Sequence, residues 1–149
     1  INYIQRGDDI TVISYGSTLK IVEKACLELK KHGISIDLID IQTLIPFDID
    51  SQIISSLKNT NKLVIIDEDC GGGASAFILK RIIEDQNGYE FLYSKPITIT
   101  AKDHRPPYGT DGNYFSKPSL DDIFEGVYNV MNEYDPKKYP LNFKSWSPK

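Results

Sequence analysis

Hydrophobic and polar positions follow two periods along this chain, and the periods predict strands that alternate with helices. The run "ITVISY" (Ile10 to Tyr15) is β-branched and aromatic, which is typical of a strand. Gly16 ends the run, and Ser17 is a suitable N-cap for a helix from about Thr18 to His32. The apolar stripe of this helix comprises Val22, Ala25, Cys26 and Leu29.

The same alternation continues to the end of the domain. Further strands are predicted at 34–41, 62–67 and 97–101. The strand at 62–67 is apolar throughout its middle, which suits a parallel strand covered on both faces. The segment "YEFLYS" is ambiguous between a helix end and a short edge strand.

Three further helices are predicted between and after these strands. One follows Asp48, with Ile49, Ile53 and Leu57 on one face. Another runs from about Ala74 to Asp85 and uses Phe77, Ile78, Ile82 and Ile83. The last begins at Ser119, with Asp122 at the spacing of a capping box. Its predicted buried face comprises Leu120, Ile123, Phe124, Val127 and Met131.

Alternating strands and helices predict an α/β domain with a mostly parallel sheet covered on both sides. We place the domain at residues 10–134. Residues 1–9 are mixed and polar, and we interpret them as a linker from an upstream domain. Residues 135–149 carry three prolines and no periodicity, so they are predicted to be an irregular tail. Its Lys137, Lys138, Lys144 and Lys149 could dock an acidic partner, although such tails are more often solvated ends.

Length and charge exclude several classes of protein. The chain has 149 residues and a net charge of −4, which argues against non-specific nucleic-acid binding. No apolar run approaches the length of a membrane span, and no secretion signal is recognisable. The first residue is Ile and not Met, so we expect that an upstream part has been removed. Two cysteines and two histidines predict neither a disulfide framework nor a metal site, and free thiols favour an intracellular protein.

The stretch "DEDCGGGASAF" resembles a phosphate-binding loop at first sight. Gly71, Gly72 and Gly73 are consecutive, however, and match neither the Rossmann nor the P-loop spacing. The preceding carboxylates of 67–69 would repel a phosphate, so we favour a tight packing turn. These carboxylates could also perform acid–base chemistry or hold a cation, but a solvated strand end that favours the next helix is the preferred interpretation.

The longest predicted loop extends from Lys102 to Pro118 and combines proline with aromatic and charged residues. It contains His104, Arg105, Pro106, Pro107, Tyr108, Tyr114 and Phe115. Arg, Tyr and Phe are enriched at protein–protein contacts, and a lone His without a partner is a poor catalyst. We therefore predict an interface here in preference to a catalytic site.

Four segments together carry a resemblance to a known family: "DDITVISYG", "IDLIDIQTLIPFD", "KLVIIDEDCGGGASAFI" and "AKDHRPPYGTDGNYFSKP". Over about residues 6–133 they resemble the C-terminal domain of the transketolase superfamily. The match is closest to the β subunit, or β half, of the thiamine-diphosphate-dependent first component of 2-oxo acid dehydrogenases. The family pattern D-L-R-T-L-x-P-L-D corresponds to residues 40–48, where Gln42 replaces the usual Arg. The family's acidic residue after the third strand matches Glu68, and its P-x-P-Y segment matches residues 106–108 loosely.

The resemblance implies a three-layer α/β/α sandwich with one antiparallel strand. In the intact enzyme, a 2-oxo acid such as pyruvate or a branched-chain acid is decarboxylated on thiamine diphosphate with magnesium. The acyl group then passes to lipoamide, a disulfide acceptor. The cofactor lies between other domains, so the resemblance assigns no catalytic, cofactor-binding or metal residue to this chain and implies that the isolated domain is inactive.

The implied role is assembly within a cytoplasmic or otherwise intracellular multienzyme complex. The implied partners are other domains or the α subunit of the same enzyme, a second copy across a dimer interface, and the lipoamide acyltransferase core; no membrane or nucleic acid is expected. The candidate interface residues are Glu68, Asp69, His104, Arg105, Pro107, Tyr108, Tyr114 and Phe115. Two alternatives remain: a domain of a sugar-phosphate transketolase or deoxyxylulose-phosphate synthase, and a stand-alone α/β binding module.

Overall fold

One sheet of five strands organises the chain, and the computed structural model describes it over residues 1–102 and 117–141. The strands are β1 (Asn2–Gln5), β2 (Ile10–Ser14), β3 (Ile36–Asp40), β4 (Leu63–Cys70) and β5 (Ile97–Ala101). Their order in the sheet is β1-β3-β2-β4-β5. β1 runs antiparallel to β3, and the other neighbouring pairs are parallel. The predicted mostly parallel sheet with one antiparallel strand is confirmed.

Within the described residues, four α-helices cover the sheet: α1 (Leu19–Lys31), α2 (Gln52–Thr60), α3 (Ala74–Lys80) and α4 (Leu120–Tyr134). A π-helical stretch, Arg81–Asp85, continues α3, and short 3₁₀ turns occupy Gly16–Thr18 and Gly88–Phe91. No helix within the described ranges combines the length and the apolar character that crossing a bilayer requires.

Two hydrophobic clusters lie on opposite faces of the sheet, which gives the three-layer arrangement. On one face, the strands pack against α1 and α4, with Leu29 and Phe124 fully buried. On the other face, they pack against α2 and α3, with Leu57 and Ile78 fully buried. β4 contributes to both clusters because its side chains alternate between the faces. Its continuous apolar run therefore marks a doubly covered strand, as predicted.

The segment assigned to the incoming linker contains a strand that the sequence does not predict. Asn2 pairs with Asp40 and Tyr3 with Ile39 at the edge of the sheet. All four residues of β1 keep partial or full exposure, so the strand lacks the apolar alternation that identifies its neighbours.

Two helix starts differ from prediction. Ser17 lies in a 3₁₀ turn, and α1 begins at Leu19 without a side-chain cap, so Ser17 is not the N-cap. Ile49 is not part of a helical face; it is 76% exposed. α2 begins later because the backbone turns through left-handed conformations at Asp48 (φ 35°) and Ser51 (φ 52°).

The capping box at the start of α4 is confirmed. The Asp122 amide donates to Ser119 Oγ over 3.1 Å, and the Ser119 amide donates to Asp122 Oδ2 over 2.9 Å. After α4, residues 135–141 are irregular but packed: Tyr139 is buried, and the Tyr128 hydroxyl donates to the Pro140 carbonyl. Lys144 and Lys149 lie outside the described residues.

Candidate functional site

The C-terminal ends of β2 and β4 lie side by side at one edge of the sheet, because the two strands are parallel neighbours. Open α/β sheets bind ligands beyond the carboxyl ends of their strands. The acidic triplet 67–69 lies here, followed by the glycine turn. We refer to this end of the sheet, where the parallel strands β2 and β4 terminate, as the carboxyl edge.

Asp67 is fully buried and acts as a structural cap. Its Oδ2 accepts a hydrogen bond from the Ser75 amide in the first turn of α3 (2.9 Å), and its Oδ1 accepts one from the Asp69 amide (2.9 Å). The hydroxyl of Tyr15, from the end of β2, also donates to Oδ1. The predicted solvated strand end is therefore wrong for Asp67, although its support of the following helix holds.

The Tyr15 hydroxyl serves as a hydrogen-bond donor to Asp67. Burial, followed by the hydrogen bond to Asp67 and the charge on that carboxylate, raises the pKa of Tyr15 far above its ordinary value. The phenol therefore keeps its proton throughout the physiological range.

Glu68 points to the other side of the strand and connects three elements. Its Oε2 accepts from Ser17 Oγ over 2.7 Å and lies 3.4 Å from Lys117 Nζ, just before α4. The hydrogen bond from Ser17, assisted by the charge of Lys117, lowers the pKa of the Glu68 carboxyl. Glu68 is thus a charged carboxylate at neutral pH and a poor general base.

A cleft of about 300 Å³ opens beside the Glu68–Lys117 pair. Its lining consists of Ser17, Thr18, Ile21, Glu68, Lys117, Pro118 and Ser119. Apolar walls with a single charged pair suit one side chain or a very small ligand better than a cofactor-sized molecule.

The glycine turn is explained by packing. Gly72 has a φ of 95°, a conformation that favours glycine, and a Cβ at Gly73 would lie 2.8 Å from Asp69 Oδ2. Asp67 already occupies the Ser75 amide, and α3 has only seven residues. These features favour a packing turn over a phosphate loop.

Of the predicted interface residues, the structure places Glu68 and Asp69, both at the carboxyl edge. Asp69 is exposed, and its Oδ1 accepts from the Cys70 amide. The remaining six, His104, Arg105, Pro107, Tyr108, Tyr114 and Phe115, lie outside the described residues.

Three residues at this edge were not found from the sequence: Tyr15, Ser17 and Lys117. They are distant in sequence from the acidic triplet and meet it only because their elements are neighbours in the sheet order. Position in the sequence could have indicated two of them, because Tyr15 and Ser17 follow a parallel strand and such strand ends form ligand sites.

The described residues do not fit the diphosphate–magnesium end of thiamine diphosphate. Magnesium requires free carboxylate or carbonyl oxygens, whereas hydrogen bonds within the fold occupy both oxygens of Asp67. Within residues 1–102 and 117–141, no group of three or more His, Cys, Asp or Glu side chains is arranged to hold a metal ion.

The fold is that of an α/β domain, and the polar side chains at its carboxyl edge bond largely to one another. A family model described as "Transketolase, C-terminal domain" matches residues 1–117. The chain belongs to this family, which confirms the resemblance inferred from its motifs.

Curated relatives are β subunits of 2-oxo acid dehydrogenases. The chain is 29% identical over 125 residues to the pyruvate dehydrogenase E1 component subunit beta of Rhizobium meliloti, covering 83% of this chain and 26% of the relative. It is 41% identical over 83 residues to the mitochondrial 2-oxoisovalerate dehydrogenase subunit beta 2 of Arabidopsis thaliana, covering 54% and 23%. The chain thus spans about a quarter of the length of these two relatives.

Solved structures support the fold. A split-gene transketolase, described as an inactive tetramer of four beta chains, superimposes with a TM-score of 0.69 at 18% identity. The match covers 88% of this chain and 42% of that one. The 2-oxoglutarate:ferredoxin oxidoreductase of Magnetococcus marinus superimposes with a TM-score of 0.55 at 19% identity, covering 86% and 18%.

Proposed function

We propose that this chain is the C-terminal assembly domain of the β part of a thiamine-diphosphate-dependent 2-oxo acid dehydrogenase. The observation that carries the proposal is its similarity, over 83% of its length, to a pyruvate dehydrogenase E1 β subunit. The complete enzyme would decarboxylate a 2-oxo acid inside the cell and transfer the acyl group to lipoamide.

The domain would contribute contacts and not chemistry. Tyr15 and Asp67 bond to each other, and Glu68 is engaged by Ser17 and Lys117. Groups engaged in this way stabilise the edge and present a fixed surface. We propose that this surface, with Glu68 and Asp69, contacts other domains, the α subunit or a second copy, and that the domain assists docking of the acyltransferase core.

The test of the non-catalytic role uses this chain directly. We expect no decarboxylation of pyruvate or 3-methyl-2-oxobutanoate, and no saturable binding of thiamine diphosphate with magnesium in calorimetry. Micromolar binding of the cofactor would contradict the proposal, because it would require a site within this chain.

The test of the enzyme assignment uses the native polypeptide purified from its source cells with an antibody to this chain. We expect peptides from additional sequence, a co-purified lipoamide acyltransferase, and turnover of 2-oxo acids. A native polypeptide no longer than this chain would instead support a stand-alone module.

A second candidate is a sugar-phosphate transketolase, because a split-gene transketolase shares the fold. Turnover of xylulose 5-phosphate by the native enzyme, with none of 2-oxo acids, would establish this alternative.

A further inference from the structure

Two isoleucines project into solvent from the loop between β3 and α2. Ile45 is 85% exposed and Ile49 is 76% exposed, and Leu44 beside them is 36% exposed. Single exposed apolar residues are ordinary, whereas three exposed aliphatic residues within positions 44–49 concentrate apolar surface on one loop. We refer to residues 42–50 as the isoleucine loop.

The isoleucine loop is held in place from below. Phe47 is buried and packs edge-on against Phe77, with ring centroids 6.3 Å apart. Asp48 is also buried, and its two carboxylate oxygens accept from the amides of Gln52 and Ile53, each over 2.9 Å. The consecutive residues Phe47 and Asp48 therefore anchor the loop between the two exposed isoleucines, so binding would cost little ordering of the loop.

The loop itself is closed by a local hydrogen bond, from Thr43 Oγ1 to the Pro46 carbonyl over 2.9 Å. The side chain of Gln86 reaches the Asp48 carbonyl from the end of the π-helical stretch, over 3.3 Å. The first contact spans Ile45, and the second fixes the backbone that follows it.

A hollow of about 140 Å³ adjoins Ile49, a volume suited to one side chain. Its lining consists of Ile1, Thr43, Pro46, Asp48, Ile49, Asp50 and Gln52. Asp50 is exposed, and no hydrogen bond or ion pair engages it within the described part of the chain. The hollow thus places an available carboxylate beside the exposed Ile49, and none of the side chains that line it is basic.

We propose that the isoleucine loop is a docking surface for a protein segment that carries apolar side chains next to an Arg or Lys. The apolar side chains cover Ile45 and Ile49, and the cationic head enters the hollow and pairs with Asp50. This surface rests on the proposed assembly role and adds a second contact to the one at Glu68 and Asp69.

Charge favours a different protein over a second copy of this chain. In a two-fold symmetric contact centred on the loop, the two Asp50 carboxylates would approach each other without a cation. A basic partner removes that repulsion and supplies the missing positive charge.

The test is a selection from a phage-displayed library of random dodecapeptides against this chain, acetylated at Ile1 so that its terminal amine does not compete. We expect selected peptides to combine apolar residues with Arg or Lys. Fluorescence anisotropy should show at least about tenfold weaker binding to the double variant Ile45→Ser/Ile49→Ser. Asp50→Asn should weaken binding about threefold or more and reduce its dependence on salt.

The control is Leu27→Ser, which removes an aliphatic side chain that is 60% exposed from α1 and should leave binding unchanged. Thermal melting verifies that all variants are folded. A selection that yields no peptide dependent on Ile45 and Ile49, or binders without cationic residues, overturns the docking surface. Neither result affects the enzyme assignment, which is tested on the native polypeptide.

Discussion

At the scale of single residues, Asp67 joins three parts of the fold through one carboxylate. It accepts from the amides of Ser75 and Asp69 and from the hydroxyl of Tyr15. A buried carboxylate is tolerable only when its oxygens are hydrogen-bonded, and here both are. The same bonds tie Asp67 to the backbone of the turn and of α3, so this member of the acidic triplet acts as a structural cap.

The phenol of Tyr15 should make stability depend on alkaline pH. Because its pKa is raised above the ordinary 10.0, the folded state holds the proton more tightly than the unfolded chain. Its contribution is complete below about pH 10 and is lost as the pH rises further. Tyr15→Phe should cost about 1–3 kcal/mol at pH 7 and flatten the loss of stability above pH 10.

Urea unfolding at a series of pH values measures both effects. Tyr89→Phe is the matched control, since Tyr89 is 60% exposed. The raised pKa of Cys26 also lowers alkaline stability, but it is common to the wild type and both variants and cancels in the comparison. Equal alkaline slopes in the wild type and Tyr15→Phe would contradict the assigned hydrogen bond.

The pKa of Glu68 reports on its contact with Ser17. Because that hydrogen bond is the largest cause of the lowered pKa, Ser17→Ala should move the pKa of Glu68 back toward its ordinary value. A carbon-13 NMR titration of the Glu68 side chain measures the shift. Ser55→Ala removes an exposed hydroxyl that donates to the Ser51 carbonyl and should leave the titration unchanged.

At the scale of elements, apolar patterns predicted most strands and helices, and boundaries were predictable only where local residues mark them. β5 (Ile97–Ala101) matches its predicted range because Pro96 marks its start and apolar residues alternate along it. β1 was missed because an edge strand that is half exposed has no such pattern. The start of α2 was missed because left-handed conformations at Asp48 and Ser51 depend on the tertiary contacts of Asp48.

The capping box of α4 shows that local residues can be sufficient to predict where a helix begins. The side chains of Ser119 and Asp122 each bond to the other's backbone, so their spacing predicted the helix start without tertiary information. Ser119→Ala should lower the free energy of unfolding by about 1 kcal/mol, and Ser119→Asp should restore most of it. Ser51→Ala is the matched control, because Ser51 precedes α2 without a side-chain cap bond. Equal losses from both alanine variants in urea unfolding would contradict the cap.

At the scale of the whole molecule, the candidate site could not be assembled from the sequence because its members come from separate elements. Tyr15 and Ser17 follow β2, Glu68 and Asp69 end β4, and Lys117 precedes α4. Only the sheet order places them together. The resemblance supplied the fold class and the expectation of an interface, whereas the contacts of Glu68 required three-dimensional positions.

A reversed charge at the carboxyl edge should weaken assembly of the native enzyme without changing the fold of the domain. Asp69 is exposed there, so Asp69→Lys should leave the fold intact but weaken assembly of the native enzyme about tenfold or more, since a reversed charge at a contact is repelled by the groups that favoured it. Light scattering after size exclusion, as a function of concentration, measures the change. Glu90→Lys is the matched control, because Glu90 is exposed and lies before β5, at the opposite edge. If Asp69→Lys assembles like the wild type, or if Glu90→Lys disrupts assembly equally, the carboxyl edge is not the interface and the assembly contacts must lie elsewhere on the domain.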